Sequence, residues 1–253
     1  MSMPPDCCLK GFAWKGTPTG TETKVNTNDT YVAGSNPKVA LVVIHDLFGW
    51  KWGNLRLLAD HYAAEADATV YVPDFFGGGS LPSDLILAGR WADLDLPNFM
   101  GRNSKDIREP EMVAFIKTLR AQGVEKVGAI GYCYGGWAVF RLAGAEHDGR
   151  KLVDCVTAGH PSRLTEEEID GVRPDVAVQL LAPEHDLQYT AELKTHTFVT
   201  LQKLGAPFDY QHFPGVEHSC FTRGDENVAG DREALVRGKN AAVAWARQWL
   251  HEV

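Results

Sequence analysis

The sequence predicts an α/β fold: a mostly parallel, doubly wound sheet with helices on both of its faces. Three observations point there. The run Val39-Ala40-Leu41-Val42-Val43-Ile44 is apolar without interruption, as a strand buried on both faces requires. Similar short runs recur at 69–72, 127–132, 155–158, 176–181 and 208–213. Stretches long enough for helices lie between or after them, at 54–65, 111–122, 137–143, 191–204 and 232–250. Strands alternating with helical patterns are the signature of βαβ units.

Taken in order, residues 7–38 mix Gly, Thr, Lys and Asn with brief polar and apolar alternation at 21–25 and 30–32, which predicts an antiparallel hairpin ahead of the parallel sheet. The segment 73–110 breaks the rhythm. It carries Phe75-Phe76-Gly77-Gly78-Gly79, Pro82 and Pro97, and an excursion of this length is expected to form a lid or binding loop.

The chain has 253 residues, 44% of them hydrophobic, enough for one core, so a single domain over 1–253 is expected. A formal net charge of −8 offers no basic field for phosphates, which argues against nucleic acid and anionic membranes as partners and for a small-molecule substrate. No apolar run approaches a membrane span, and the opening Met1-Ser2-Met3-Pro4-Pro5-Asp6 has no leader pattern, so a cytoplasmic protein is expected. The five cysteines, at 7, 8, 133, 155 and 220, are odd in number and follow no framework spacing, which predicts free thiols in a reducing compartment.

The most informative motif follows the strand at 127–132. In Gly131-Tyr132-Cys133-Tyr134-Gly135-Gly136, glycines two before and two after Cys133 allow a strained strand-to-helix turn that raises the thiol above the sheet, at a helix N-terminus that favours thiolate. The alternative is a cysteine buried as a small hydrophobe. A thiolate nucleophile needs a histidine to carry protons and a third group to orient it, in the α/β-hydrolase chain order nucleophile, acid, histidine. Asp186 follows the strand at 176–181, with Glu184 as the rival acid, and His218 follows the strand at 208–213. Both sit beyond strand C-terminal ends, where open α/β sheets bind ligands. The amides of Leu47, after the first parallel strand, and Tyr134, after the nucleophile, are the candidate oxyanion hole. Asp46 beside them opposes negative charge, so it either caps its loop or serves the thiol. The nine histidines show no His-Glu-x-x-His spacing, and 76–79 lacks the Gly-Lys-Ser/Thr of a phosphate loop.

These residues resemble the dienelactone hydrolase family of the α/β-hydrolase superfamily, in its fungal-type branch. The resemblance runs from Cys7-Cys8 and Gly16-Thr17-Pro18-Thr19-Gly20, through His45-Asp46-Leu47-Phe48-Gly49 and Pro73-Asp74-Phe75-Phe76-Gly77, to the elbow and His218. It implies a Cys133, His218, Asp186 triad that hydrolyses cyclic enol-lactones or related esters, with neither metal nor organic cofactor. It also implies a thiol-gating carboxylate at Asp46, where the family has the longer glutamate, and an arginine for a substrate carboxylate, Arg223 or, second, Arg90. Arg223 reads equally as a solvated charge. Two rivals stand beside this reading: a class I amidotransferase-like cysteine hydrolase, whose histidine follows its cysteine without a long delay, and a non-catalytic α/β-hydrolase binding module, which should lack a triad member. Monomer and homodimer are both left open.

Overall fold

The structure, a computed structural model, describes residues 11–251. Cys7 and Cys8 lie outside the described residues. In chain order the elements are β1 (Thr21–Val25), β2 (Asn28–Ala33), β3 (Val39–Ile44), α1 (Gly53–Ala66), β4 (Thr69–Pro73), α2 (Ser83–Leu87), α3 (Leu96–Arg102) and α4 (Lys105–Ala121). There follow β5 (Lys126–Tyr132), α5 (Gly135–Gly144), a small hairpin of β6 (Glu146–His147) and β7 (Arg150–Lys151), and β8 (Cys155–Gly159). The chain closes with α6 (Glu166–Asp170), β9 (Ala177–His185), α7 (Ala191–Leu204), β10 (Phe208–Glu217), α8 (Cys220–Arg223) and α9 (Ala229–Leu250).

The main sheet has the order β1-β2-β4-β3-β5-β8-β9-β10. From β4 to β10 every pairing is parallel, while β1 with β2 and β2 with β4 are antiparallel, so the predicted hairpin forms one edge. All six residues of β3 are buried, as its unbroken apolar run requires. Helices α1, α8 and α9 pack together on one face, and α4, α5, α6 and α7 form a second group that covers the other. The chain moves from β3 outward to β4 and then returns to β5 on the other side of β3, which makes the crevice between the C-terminal ends of β3 and β5 the topological switch point.

Two sequence expectations need correction. The helix expected over 111–122 begins at Lys105 and runs through Pro110. Proline removes one backbone donor from the helix, at a typical cost of about 3 kcal/mol. The first turns persist because Arg108 bonds Asn103 and Glu111, and Glu109 pairs with Arg141 of α5. The excursion over 73–110 is therefore less irregular than its composition suggests, since α2, a 3-10 turn at Trp91–Asp93, α3 and the start of α4 lie within it. Leu96, Phe99 and Met100 of α3 are buried, anchoring this segment to the core.

Candidate active site

Strand register assembles the site. Gly131 of β5 pairs with Ile44 of β3, and Tyr132 pairs with Gly159 of β8, so the residues that follow these strands emerge at one level. On the far side, Glu217 of β10 pairs with His185 of β9 after a bulge following Phe213. The next residues on those two strands are His218 and Asp186, and the His218 amide donates to the His185 carbonyl at 3.0 Å. The bulge thus brings the two side chains level with each other.

Cys133 occupies the turn between β5 and α5 with φ 49°, a left-handed conformation that costs a non-glycine residue of order 1–3 kcal/mol and is found where a site demands it. The turn is tight enough that a Cβ on Gly131 would lie 2.1 Å from the Gly135 carbonyl oxygen. The Cys133 side chain is buried, as are those of His218 and Asp186, so the cluster is closed to solvent.

His218 Nδ1 lies 2.9 Å from both carboxylate oxygens of Asp186. Asp186 Oδ1 also accepts from the Gln188 and Tyr189 amides, at 2.8 and 3.0 Å, which fixes the carboxylate. Burial works against a charge on the imidazole, but the charge of Cys133, the hydrogen bonds to Asp186 and to Cys133, and the charge of Asp186 together push its pKa up to about 10. Asp186 thus holds the Nδ1 side of the His218 ring, and Cys133 is among the groups that favour its charge. The rival acid Glu184 is exposed and accepts from the Gly215 amide at 2.7 Å instead.

The loop after β3 is held by its own polar groups. Asp46 Oδ1 accepts from the Phe48 amide at 2.9 Å, and Oδ2 accepts from the Thr222 hydroxyl at 3.0 Å and lies 2.9 Å from Arg223 Nε. The two residues that the sequence left ambiguous are therefore partners. Arg223 is buried, bonds Ser219 through its guanidinium, and stacks over Phe48 with its charge 4.5 Å from the ring centroid. It is no solvated charge. Arg90 lies on the surface in the excursion and is paired with Asp93 at 2.6 Å, away from these contacts.

His45 locks the same loop to the one after β4. Its Nε2 accepts from the Phe75 amide at 3.2 Å, so Nδ1 carries the proton and donates to the Asp46 carbonyl at 3.0 Å. Burial keeps its pKa below the usual histidine value. Leu47 and Tyr134 stand on the two sides of the crevice, and neither amide donates to a backbone carbonyl or side chain among the described residues. An aromatic chain from His45 to Phe76, and from Phe76 to both Tyr134 and Phe99, ties the elbow to α3 of the excursion.

Sequence reasoning missed His160 and Ser162, which follow β8. The Cys133 amide donates to His160 Nδ1 at 3.1 Å, so the single proton of this neutral ring sits on the buried Nε2. Burial, with the positive charges of His218 and Arg223, holds its pKa well below the usual value. The signal available in the sequence was a His-Pro-Ser turn directly after a buried strand adjacent to the elbow's own.

The family model described as "Dienelactone hydrolase family" matches residues 29–250. Among curated proteins, "Hydrolase tropI" of Talaromyces stipitatus is 27% identical over 254 residues, covering 97% of this chain and 96% of that protein. "Dienlactone hydrolase 1" of Gibberella moniliformis is 29% identical over 256 residues, covering 96% and 93%. A crystal structure of a dienelactone hydrolase from Anabaena variabilis superposes with TM-score 0.62 at 13% identity, over 92% of this chain and 98% of that one, a likeness that bears on the fold alone.

Proposed function

The chain belongs to the dienelactone hydrolase family, and on that premise we propose that it cleaves a carboxylic ester or lactone of a small molecule through Cys133, with His218 as proton carrier and Asp186 as its orienting group. The observation that carries this reading is the conjunction of a left-handed cysteine on a strand-to-helix turn with a buried histidine whose Nδ1 meets a carboxylate and whose pKa is raised by the neighbouring Cys133.

In this reading the Cys133 sulfur attacks the carbonyl carbon, and the charge that forms on the carbonyl oxygen is received by the Leu47 and Tyr134 amides. Collapse of that adduct breaks the ester C–O bond, and His218 Nε2 protonates the departing oxygen, leaving a thioester on Cys133. Water then attacks the thioester while His218 takes its proton. The second collapse releases the carboxylic acid and returns the sulfur. In a lactone the departing oxygen stays tethered, so a single ring-opened acid is the product. No reagent other than water enters the balance.

Asp46 in this reading anchors Arg223 and the loop that presents Leu47, since both its oxygens are engaged there. Arg223 in this reading is the group that meets a substrate carboxylate, in competition with Asp46. Cys133, Cys155 and Cys220 are buried and in no disulfide, which suits a reducing compartment, and a cytosolic setting belongs to the proposal. The test is a hydrolysis screen of carboxylate-bearing lactones, neutral lactones, thioesters and aryl esters, run with the wild-type protein and Cys133→Ala. Turnover of an ester or lactone that disappears in Cys133→Ala supports the reading, and full turnover in the variant overturns it.

A further inference from the structure

The loop after β8 grips Cys133 along its whole length. The Cys133 amide is shared between the Gly159 carbonyl and His160 Nδ1, both at 3.1 Å, and the Cys133 carbonyl accepts from the Ser162 amide at 2.8 Å. Pro161 packs so closely on α5 that a Cβ on Gly136 would lie 2.4 Å from its Cα. The loop is itself strained, with His160 at φ 37° and Arg163 at φ 59°. Its far end is tied down by Lys105, whose Nζ donates to the Arg163 carbonyl at 2.6 Å and pairs with Glu168 at 2.6 Å. Strain held in place from both ends marks a position fixed for a purpose.

What this grip delivers is one hydroxyl. Ser162 is buried, and its Oγ lies 3.6 Å from Cys133 Sγ, within range of a hydrogen bond to sulfur. We propose that Ser162 is a further catalytic residue, whose hydroxyl sets the protonation of the Cys133 sulfur; this rests on Cys133 being the nucleophile. In the thiol form, S–H donates to Ser162 Oγ. When the proton passes to His218 Nε2, the hydroxyl rotates about its C–O bond and donates O–H to the thiolate. No bond to Ser162 forms or breaks. The gain is selective for the charged sulfur, because hydrogen bonds to an ionised partner are roughly twice as strong as neutral ones. His160 and Ser162 divide the work: the first holds the Cys133 backbone in its left-handed turn, and the second addresses its sulfur.

The test is carbamidomethylation of Cys133 by iodoacetamide on the full chain, followed by peptide mapping from pH 5 to 10, for wild type, Ser162→Ala and Ser162→Thr. Ser162→Ala is expected to move the alkylation midpoint up by about one pH unit and to slow the reaction about tenfold on the acid side, the equivalent of one pKa unit. Ser162→Thr, which keeps the hydroxyl, is expected to restore the wild-type profile, and turnover should fall in kcat rather than rise in KM for Ser162→Ala alone. If Ser162→Ala folds poorly, judged by its Tm, Ser162→Cys offers a side chain of similar size with a weaker donor and should shift the midpoint in the same direction. A Ser162→Ala or Ser162→Cys profile that superimposes on wild type overturns the proposal. Alkylation needs no turnover, so this outcome is separate from activity surviving in Cys133→Ala, which overturns the nucleophile assignment instead.

Discussion

Asp46 and Arg223, far apart in the chain, meet as an ion pair of 2.9 Å whose side chains are almost wholly withdrawn from solvent. Two charges taken out of water lose several kcal/mol of hydration each, and their attraction offsets that loss only when further hydrogen bonds complete their shells. Here the Phe48 amide and the Thr222 hydroxyl complete the carboxylate, and Ser219 and the Phe48 ring attend the guanidinium. The pair also ties the loop after β3 to the segment after β10, and Asn54 reinforces the join by bonding the Thr222 carbonyl at 2.9 Å and the Phe12 carbonyl at 2.7 Å.

Removing one partner strands the other as an uncompensated buried charge, which typically costs about 3–5 kcal/mol. Asp46→Asn and Arg223→Gln are each expected to lower stability by an amount of that order in urea titrations. The double variant should be less destabilised than the two losses added together, because neither charge remains alone. Strict additivity would show that the two side chains do not couple.

In the proposed function an anionic substrate meets the same pair. A substrate carboxylate reaching Arg223 must share or displace Asp46, and a charge-assisted hydrogen bond contributes about 1.5–3 kcal/mol. Arg223→Gln, assayed well below its Tm, should therefore lose about tenfold to a hundredfold in kcat/KM on carboxylate-bearing esters and little on neutral ones. Arg90→Gln should leave both within about twofold, since Arg90 is exposed and already paired with Asp93. Equal losses on neutral and anionic esters in Arg223→Gln would assign Arg223 to structure alone.

Thiol reactivity should separate the buried cysteines sharply. Burial, aided by the charge of Asp154, pushes the Cys155 thiol far up, and burial with the charges of Asp231 and Asp186 does the same to Cys220. Neither offers thiolate at neutral pH, whereas Cys133 has His218 as a positive neighbour. With limiting iodoacetamide at pH 7, peptide mapping should find Cys133 labelled ahead of Cys155 and Cys220, in step with loss of turnover. Labelling of Cys155 or Cys220 at the rate of Cys133 would contradict this account.

What the sequence revealed and what it hid follow from the range of the signals. The elbow was legible because its glycines and its strand are contiguous, and Asp186 and His218 were legible because each follows a stretch recognisable as a strand. The true start of α4 was obscured by Pro110, a local breaker outweighed by the Arg108, Glu109 and Glu111 contacts that only the fold supplies. The Asp46–Arg223 pair was hidden for another reason. Either residue alone reads as a loop cap or a solvated charge, and only the packing of two distant loops makes them partners. His160 and Ser162 depend on the pairing of Tyr132 with Gly159, a register that no pattern in one sequence announces.

The last prediction concerns pH. Burial alone would lower the His218 pKa, but the charge of Cys133, the hydrogen bonds to Asp186 and Cys133, and the charge of Asp186 outweigh it and hold the value at about 10, above the usual 6.5. A raised pKa means that the folded protein keeps this proton where the unfolded chain loses it. The resulting stability is fully present below pH 6.5 and is lost as pH rises from there through about 10. In the proposed mechanism catalysis shares the window, because there the imidazolium protonates the departing oxygen. The alkaline limb of kcat/KM should accordingly fall near pH 10 and not near 6.5. Cys133 and Asp186 are the groups that raise the value, so removing either must lower it. In an NMR titration of the His218 ring, Cys133→Ser, which abolishes the thiolate, and Asp186→Asn should each titrate at lower pH than wild type, and Asp186→Asn should draw the alkaline limb of kcat/KM down with it. Unchanged titration in Cys133→Ser would mean that the sulfur carries no charge beside His218, and the ion-pair description of the site would fall.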